Sequence, residues 1–527
     1  MRTDTSFVMA RRALLAGVLA MAAAAAWSGG AVPQYLPPGG SDVGGVRDMV
    51  LIYHGSKARV PWTKDNILPY VAYLDQHGQP RDWFFDSFLF IEFALDNGAW
   101  FHHYREGHPL PTIADWQQIA ASWFRPGEGL DGLEAAVAAV AGKLGPADKR
   151  VNVVITLPVP LRQDAAFGPL PGKTEPLDLS REHDRQRALR WYIQEVLGHW
   201  RQRQYRHLNL AGFYWTSESI SDVDANLVKW TSDYLHSRGL RHYWIPYYGA
   251  QGLRDWRTNG FDACMLQPNF FFTPERLPLT HFQTASKLAR MAGCGIEVEF
   301  DSRALSDDEY RQRMLAYLDA GVHFGWTKAA LLGYYEGGRA IKDFCESPGV
   351  GRELYRKVYE FVKGDYELSG LFDFTNFSLV TRDNSANLAL ASRGAKVIGA
   401  EARPEWGREI GPERIIDGDI DFYGGMSGFG AFFIPGSVTI ELPELTTVAR
   451  TQTMLFDLDG RYFQYRVETS VDAATWELAV DKSTGEWRSW QVDTFAPRPA
   501  KYVRFTCLHN SANQICQLIE LEVYSEP

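Results

Sequence analysis

Residues 210–219, LAGFYWTSES, and residues 295–302, GIEVEFDS, are two short apolar runs that end on acidic side chains. They stand fourth and seventh in a series of eight strand-like segments. The others are DMVLIYHG (48–55), WFFDSFLFIE (83–92), VNVVITLPVP (151–160), RHYWIPYYG (241–249), ACMLQPNFF (263–271) and AALLGYYEG (329–337). Helical patterns lie between them, among them GLEAAVAAVAGKLG, QRALRWYIQEVLGHWRQR, DANLVKWTSDYLHSRG and DDEYRQRMLAYLDAG. Repeated strand-then-helix order implies a parallel sheet, and eight units over about 300 residues suit a closed (β/α)8 barrel. A doubly wound open sheet is the rival, and no Gly-rich phosphate loop follows the first strand to support it. The barrel is expected over residues 46–365.

Such a barrel builds its site at the C-terminal ends of its strands. Glu218 and Glu299 both belong there, and paired carboxylates are the apparatus of glycoside hydrolysis. In the seventh segment Ile296, Val298 and Phe300 alternate with Glu297, Glu299 and Asp301. This period of two sends the apolar set toward the helices and the acidic set into the barrel. Stacked interior carboxylates are costly unless paired or solvated, so a structural salt bridge would account for Glu297. Glu299, nearer the top, is expected to be the nucleophile. Glu218 follows Phe213, Tyr214 and Trp215, and aromatic surroundings raise a carboxyl pKa as a general acid requires. Capping of the next helix, beside Ser219, Ser221 and Asp222, is the competing explanation for Glu218. Substrate contacts are expected from His54, Asp86, Trp215, Tyr248, Asn269, Trp326, Tyr335 and Glu336. Glu336 is also an alternative carboxylate, and Trp62 and Trp244 are further candidates for stacking.

The chain of 527 residues holds 17 Trp, 24 Tyr and 30 Phe, a supply of flat rings that suits both a core and a sugar cleft. A net charge of −10 argues against nucleic acid or an anionic membrane as the main partner. Arg11 and Arg12 precede the apolar run LLAGVLAMAAAAAW, the pattern of a signal peptide over residues 1–26. A Gly/Pro linker follows over 27–45, and no later segment is apolar enough to span a bilayer. Export to the periplasm or medium is therefore expected. The five cysteines show no metal-ligand spacing. Cys264 and Cys294 precede the sixth and seventh strands and are expected as neighbours at the lower face, either bridged or as two buried thiols. There is no HExxH helix, GxSxG elbow or Walker loop, and no cofactor or metal is expected for catalysis.

After about Gly364 helical periodicity gives way to turn-bounded strands. NLALASRGAKVIGAE, RIIDGD, VTIELPELTTVART, RYFQYRVETSVDAATWELAVD, KYVRFTC and QLIELEVYSE follow in order. This stretch, residues 384–527 after a linker at 366–383, resembles a discoidin domain of the coagulation factor C-type, galactose-binding-like kind. The resemblance implies a β-sandwich akin to carbohydrate-binding modules, with ligand loops at one end and a structural calcium. Tyr423, Gly424 and Gly425 stand where such domains often carry a tryptophan. Upstream, GFYWTSESI, HYWIPYYGAQG and GIEVEFDSRAL resemble a family of secreted bacterial barrels known as domain of unknown function 4855. That resemblance implies the architecture and no activity. The layout is also similar to the large retaining-glycosidase clan, with its acid/base after strand four and its nucleophile after strand seven. In that clan an Asn commonly precedes the acid, whereas Ser217 does so here. The joint expectation is a secreted glycoside hydrolase that cleaves a poly- or oligosaccharide with retention. The alternative is a non-catalytic secreted glycan-binding or adhesion protein.

Overall fold

Eight parallel strands close on themselves in chain order, each next to the one that follows it. They are β1 (Asp48–Tyr53), β2 (Ser87–Ile91), β3 (Val151–Leu157), β4 (Leu208–Trp215), β5 (Arg241–Trp244), β6 (Ala263–Leu266), β7 (Gly295–Glu299) and β8 (Leu332–Tyr335). The computed structural model describes residues 34–272, 279–374, 383–400, 403–405, 408–418, 430–456 and 461–527. The expected signal peptide and the Tyr423 turn lie outside these residues. Pairing of Asp48 with Leu332 and of Met49 with Ser87 ties β1 to both β8 and β2 and completes the ring. Helices connect the strands except between β5 and β6, where residues 245–262 form turns, and burial on both faces is why these segments read as near-continuous apolar runs.

The helices are α1 (Lys64–Val71), α2 (Ile113–Ser122), α3 (Leu130–Leu144), α4 (Glu182–Arg203), α5 (Asp222–His236), α6 (Thr280–Ala292), α7 (Asp308–His323), α8 (Trp326–Ala329), α9 (Ala340–Glu346) and α10 (Val350–Lys363). The last ends on Gly364 in the left-handed conformation, φ 79°, at the point where helical periodicity stops in the sequence. At the lower face Cys294 donates its thiol to Cys264 Sγ at 3.1 Å. The two are neighbours as expected, and both are free thiols.

One glycine decides whether the ring can close at β4. The β3–β4 register shifts between Val153 and Val154, so that Ala211 is passed over and Gly212 pairs with Val154 on one side and Arg241 on the other. A Cβ on Gly212 would lie 1.9 Å from the Arg241 carbonyl oxygen, a backbone atom with no room to yield. Gly212→Ala is expected to destabilise the barrel by about 3 kcal/mol, read as a lowered urea midpoint.

The C-terminal domain is an antiparallel sandwich with its own core. Its strands are β9 (Lys396–Ile398), β10 (Gly430–Phe433), β11 (Gly436–Leu455), β12 (Phe463–Ser470), β13 (Glu477–Trp487), β14 (Trp490–Asn510) and β15 (Ile515–Tyr524). They hydrogen-bond in the order β10-β15-β11-β14-β12-β13, with β9 on β11. The β11–β14 register breaks between Glu441 and Thr446, an irregularity that bends the two long strands. Val438, Ile440, Tyr465, Val503, Phe505 and Leu521 fill the space between. The sandwich rests on α6: Thr284 bonds Ser489, the Lys287 ammonium sits 2.9 Å from the centre of the Trp490 ring, and Met291 packs beside that ring.

Candidate active site

Glu299 is the last residue of β7, and Glu218 lies three residues beyond the end of β4. The loop that carries Glu218 is pinned along its length. Trp244 Nε1 donates to the Ser217 carbonyl at 2.7 Å, Ser217 Oγ to the Ser219 carbonyl at 2.9 Å, and Ile220 N to the Gln251 carbonyl at 2.9 Å. The cap position of α5 is held by Ser221, which leaves Glu218 free to turn inward. It does so: Glu218, Glu297 and Glu299 line one cavity of about 220 Å³. Leu51, Tyr53, Ile91, Phe93, Tyr214, Ile245, Gln267, Asn269, Phe272 and Tyr335 complete the wall. The acidic alternation of β7 thus faces the interior, while Ile296 and Val298 pack outward in the core.

The three carboxyls are held differently. Glu299 Oε2 accepts from Asn269 N at 2.6 Å and from the Tyr317 hydroxyl. Burial pushes its pKa up to about 7, and those two hydrogen bonds oppose the rise by favouring the carboxylate. Burial also raises the Glu218 pKa, opposed by a hydrogen bond from the Gln267 side chain. Glu297 is pushed well up by burial first, then by the charges of Glu299 and Glu218. Among the described residues its Oε1 has no hydrogen-bond partner.

Asn269 supports Glu299 through a backbone conformation that few residues adopt. Its φ of 57° is left-handed, a region that Asn tolerates better than other side chains with a Cβ. Its side chain holds the turn, accepting from Tyr248 N at 2.8 Å and donating to Gln267 Oε1 at 3.1 Å. Tyr317 reaches Glu299 from α7 and also accepts from Phe270 N at 3.0 Å. Nothing in the sequence separates it from other core tyrosines; the helix supplies it from outside the strand series. Phe93 and Phe272 were likewise not foreseen, because both lie in loops past their strands. Tyr317→Phe is expected to raise the Glu299 pKa further and shift the acid limb of the kcat/KM–pH profile upward by roughly one unit.

Several expected contacts lie outside the cavity wall, mostly because strand parity points them outward. Glu336 follows the inward Tyr335 and so faces the helices, where it accepts from Tyr70 Oη at 2.9 Å and Ile341 N at 3.0 Å. Burial pushes its pKa up to about 8 in a place remote from the cavity wall. Trp215 follows the inward Tyr214 and packs on His242. His54 follows Tyr53 and binds the Ser122 carbonyl at 2.9 Å beneath Trp123. Asp86 precedes β2 at the opposite, N-terminal end of the barrel, where it accepts from Asp48 N, Arg47 N and Ser87 Oγ. Trp326 is fully buried in α8 with its Nε1 on Ser286 Oγ. Trp62 and Trp244 are core residues as well. Tyr248 packs on His281, and its backbone N–H holds the Asn269 side chain. Of the expected contacts, Asn269 and Tyr335 line the cavity with the two glutamates.

Fold and site together define a (β/α)8 barrel with an acidic, aromatic-walled cavity at its C-terminal mouth, followed by a discoidin-type sandwich. The chain belongs to the family described as domain of unknown function DUF4855, whose model matches residues 48–360. An F5/8 type C domain model matches residues 400–521. Among curated proteins, BTB/POZ domain-containing protein 9 of Homo sapiens is 28% identical over 109 residues, which is 20% of this chain and 18% of that one. The Drosophila melanogaster protein of the same name is 30% identical over 109 residues, 20% of this chain and 15% of that one. The chain thus spans less than a fifth of the length of these relatives. Among solved structures, CpGH89CBM32-5 from Clostridium perfringens, in complex with GalNAc-β-1,3-galactose, is 16% identical. It covers 26% of this chain and 99% of its own, with a TM-score of 0.22. A chitosan-binding module 1 from a chitosanase/glucanase of Paenibacillus sp. IK-5 is 24% identical, covering 26% of this chain and 98% of its own, with a TM-score of 0.21. No helix among the described residues is long and apolar enough to cross a membrane.

Proposed function

We propose that this chain is an exported glycoside hydrolase that cleaves a poly- or oligosaccharide by double displacement. The observation that carries the reading is the meeting of Glu218 from the β4 end and Glu299 from the β7 end in one aromatic-walled cavity. Cleavage with retention needs two carboxyls, one to attack and one to carry the proton. Glu299 takes the nucleophile's role because it ends β7 with its Oε2 fixed by two donors, Asn269 N–H and the Tyr317 hydroxyl, which oppose the rise that burial gives its pKa. Glu218, buried with one opposing hydrogen bond, takes the role of acid/base.

In the first step Glu218 gives its proton to the glycosidic oxygen while a Glu299 oxygen attacks the anomeric carbon, and the C–O bond to the leaving sugar breaks. In the second, Glu218 takes a proton from water, which displaces Glu299 and restores both carboxyls. The rings of Tyr53, Phe93, Tyr214, Phe272 and Tyr335 offer faces on which sugar C–H groups stack. The sandwich, in this reading, holds the same glycan near the barrel. The test is release of reducing ends across a broad polysaccharide panel, with the anomer of the first product read by NMR. Binding without cleavage of any glycan would instead favour a glycan-binding barrel.

A further inference from the structure

Hydrolysis by this scheme uses two carboxyls, and the cavity holds three. Glu297 lies two residues deeper in β7 than Glu299, is only 2% exposed, and lines the cavity with Oε1 unpartnered. The internal salt bridge that would explain such a group is absent: among the described residues no Lys, Arg or His pairs with it. None of the described lining residues is a cation. The two arginines that overlie wall aromatics are already committed. Arg59, 4.7 Å from the centre of the Tyr53 ring, is bound to Glu92 at 2.7 Å. Arg303, 5.3 Å from the centre of the Phe272 ring, is bound to Asp301 at 2.7 Å. The residue opposite Glu297 on β8 is Gly333, where a Cβ would stand 3.7 Å from Glu297 Cγ. Met265 Sδ lies nearer still to that position, at 3.2 Å, so a thioether and not a cation packs on this side of Glu297.

A buried carboxyl beside two others is costly to ionise unless a cation accompanies it. Here the cation must come with the ligand. We propose that the cavity receives an amino sugar with a free amine, whose ammonium group is bound by Glu297. The inference rests on the hydrolase reading and names its substrate class. A cavity of about 220 Å³ is below the usual drug-sized range and suits a single sugar residue. N-acetylation would remove the charge, and an acidic sugar would meet three carboxyls. The titratable groups that face Glu297 are Glu299 on its own strand, Tyr214 from β4 and Glu218 just beyond it, Tyr53 from β1, Tyr335 from β8 and Tyr317 from α7. Burial and these neighbouring carboxyls favour the protonated form of Glu297, so binding of an ammonium group there is expected to release a proton.

Calorimetric titration of the full chain at neutral pH tests this. Glucosamine, galactosamine and mannosamine are each compared with their N-acetyl and neutral counterparts. At least one free amine is expected to bind about tenfold or more tightly than its counterparts. Its binding enthalpy is expected to vary with the ionisation enthalpy of the buffer, as proton release requires. Glu297→Gln, checked for native melting, is expected to erase the preference. Equal binding of amine and N-acetyl sugars by the wild type, or no amine binding at all, overturns the proposal without any variant. A preference that survives in Glu297→Gln also overturns it, since the amine is then held elsewhere. Amine preference without release of reducing ends from any deacetylated glycan overturns the hydrolase reading and leaves the site. Turnover of a neutral glycan with no amine preference does the reverse.

Discussion

Replacing Glu299 with Gln is expected to lower kcat by about 10⁴-fold or more on any glycan the wild type cleaves, since no covalent intermediate can form. Gln preserves the shape of the side chain, and its amide oxygen can still accept from Asn269 N and Tyr317 Oη. The loss is therefore expected without loss of fold. Stability supplies an independent sign. The folded Glu299 pKa, about 7, lies above the ordinary glutamate value of 4.5. Between those values the native state binds more protons than the unfolded state, so stability contributed by this group is full below 4.5 and declines as pH rises through 7. Glu299→Gln removes the ionisation. The variant is expected to melt at a higher temperature than the wild type at pH 8, with the difference closing toward pH 4. An inactive variant that also melts lower across that range would mean a folding defect; an active one would remove Glu299 from the chemistry.

Glu218→Gln is expected to be the second largest effect, and its form differs. Loss of the proton donor is expected to slow cleavage of natural glycosides by about 10³-fold. Aryl glycosides whose leaving groups need no proton are expected to form the Glu299 ester at near wild-type rates. The ester then accumulates, because water lacks its base, and a burst of aryl alcohol precedes a slow steady state. Azide, a nucleophile that needs no deprotonation, is expected to relieve the second step. Equal impairment of natural and activated substrates, with no burst and no azide effect, would exclude Glu218 as acid/base. The wild type itself is expected to gain activity as pH rises through about 7, where Glu299 ionises.

Much of this molecule was legible from the chain. The eight strand segments are legible because parallel strands buried on both faces must be apolar, and helical patterns lie between several of them; no helix separates β5 from β6 among the described residues. Their ends were less clear. DMVLIYHG runs to 55 in the sequence reading and β1 stops at Tyr53, while WFFDSFLFIE begins at 83 and β2 at Ser87. The second shift matters most, because it moves Asp86 from the interior of a strand to the bottom of the barrel. The period of two in β7 correctly turned Glu297 and Glu299 inward. The same rule, applied outward from Tyr53, Tyr214 and Tyr335, would have excluded His54, Trp215 and Glu336. Adjacent residues at a strand end share a position in the sequence and occupy opposite faces of the sheet.

The order of apolar strands and amphipathic helices determined the barrel, because burying those runs on both faces admits few other parallel arrangements. The alternation of Glu with Ile and Val determined which face of β7 is acidic. Only the tertiary structure decided what surrounds those acids. Tyr317 reaches Glu299 from a helix, Asn269 turns a backbone N–H onto it through a left-handed φ, and Glu297 is set opposite Gly333 on β8. Each of these depends on which strand lies beside which, and at what height. Periodicity within one strand carries no record of the register between two.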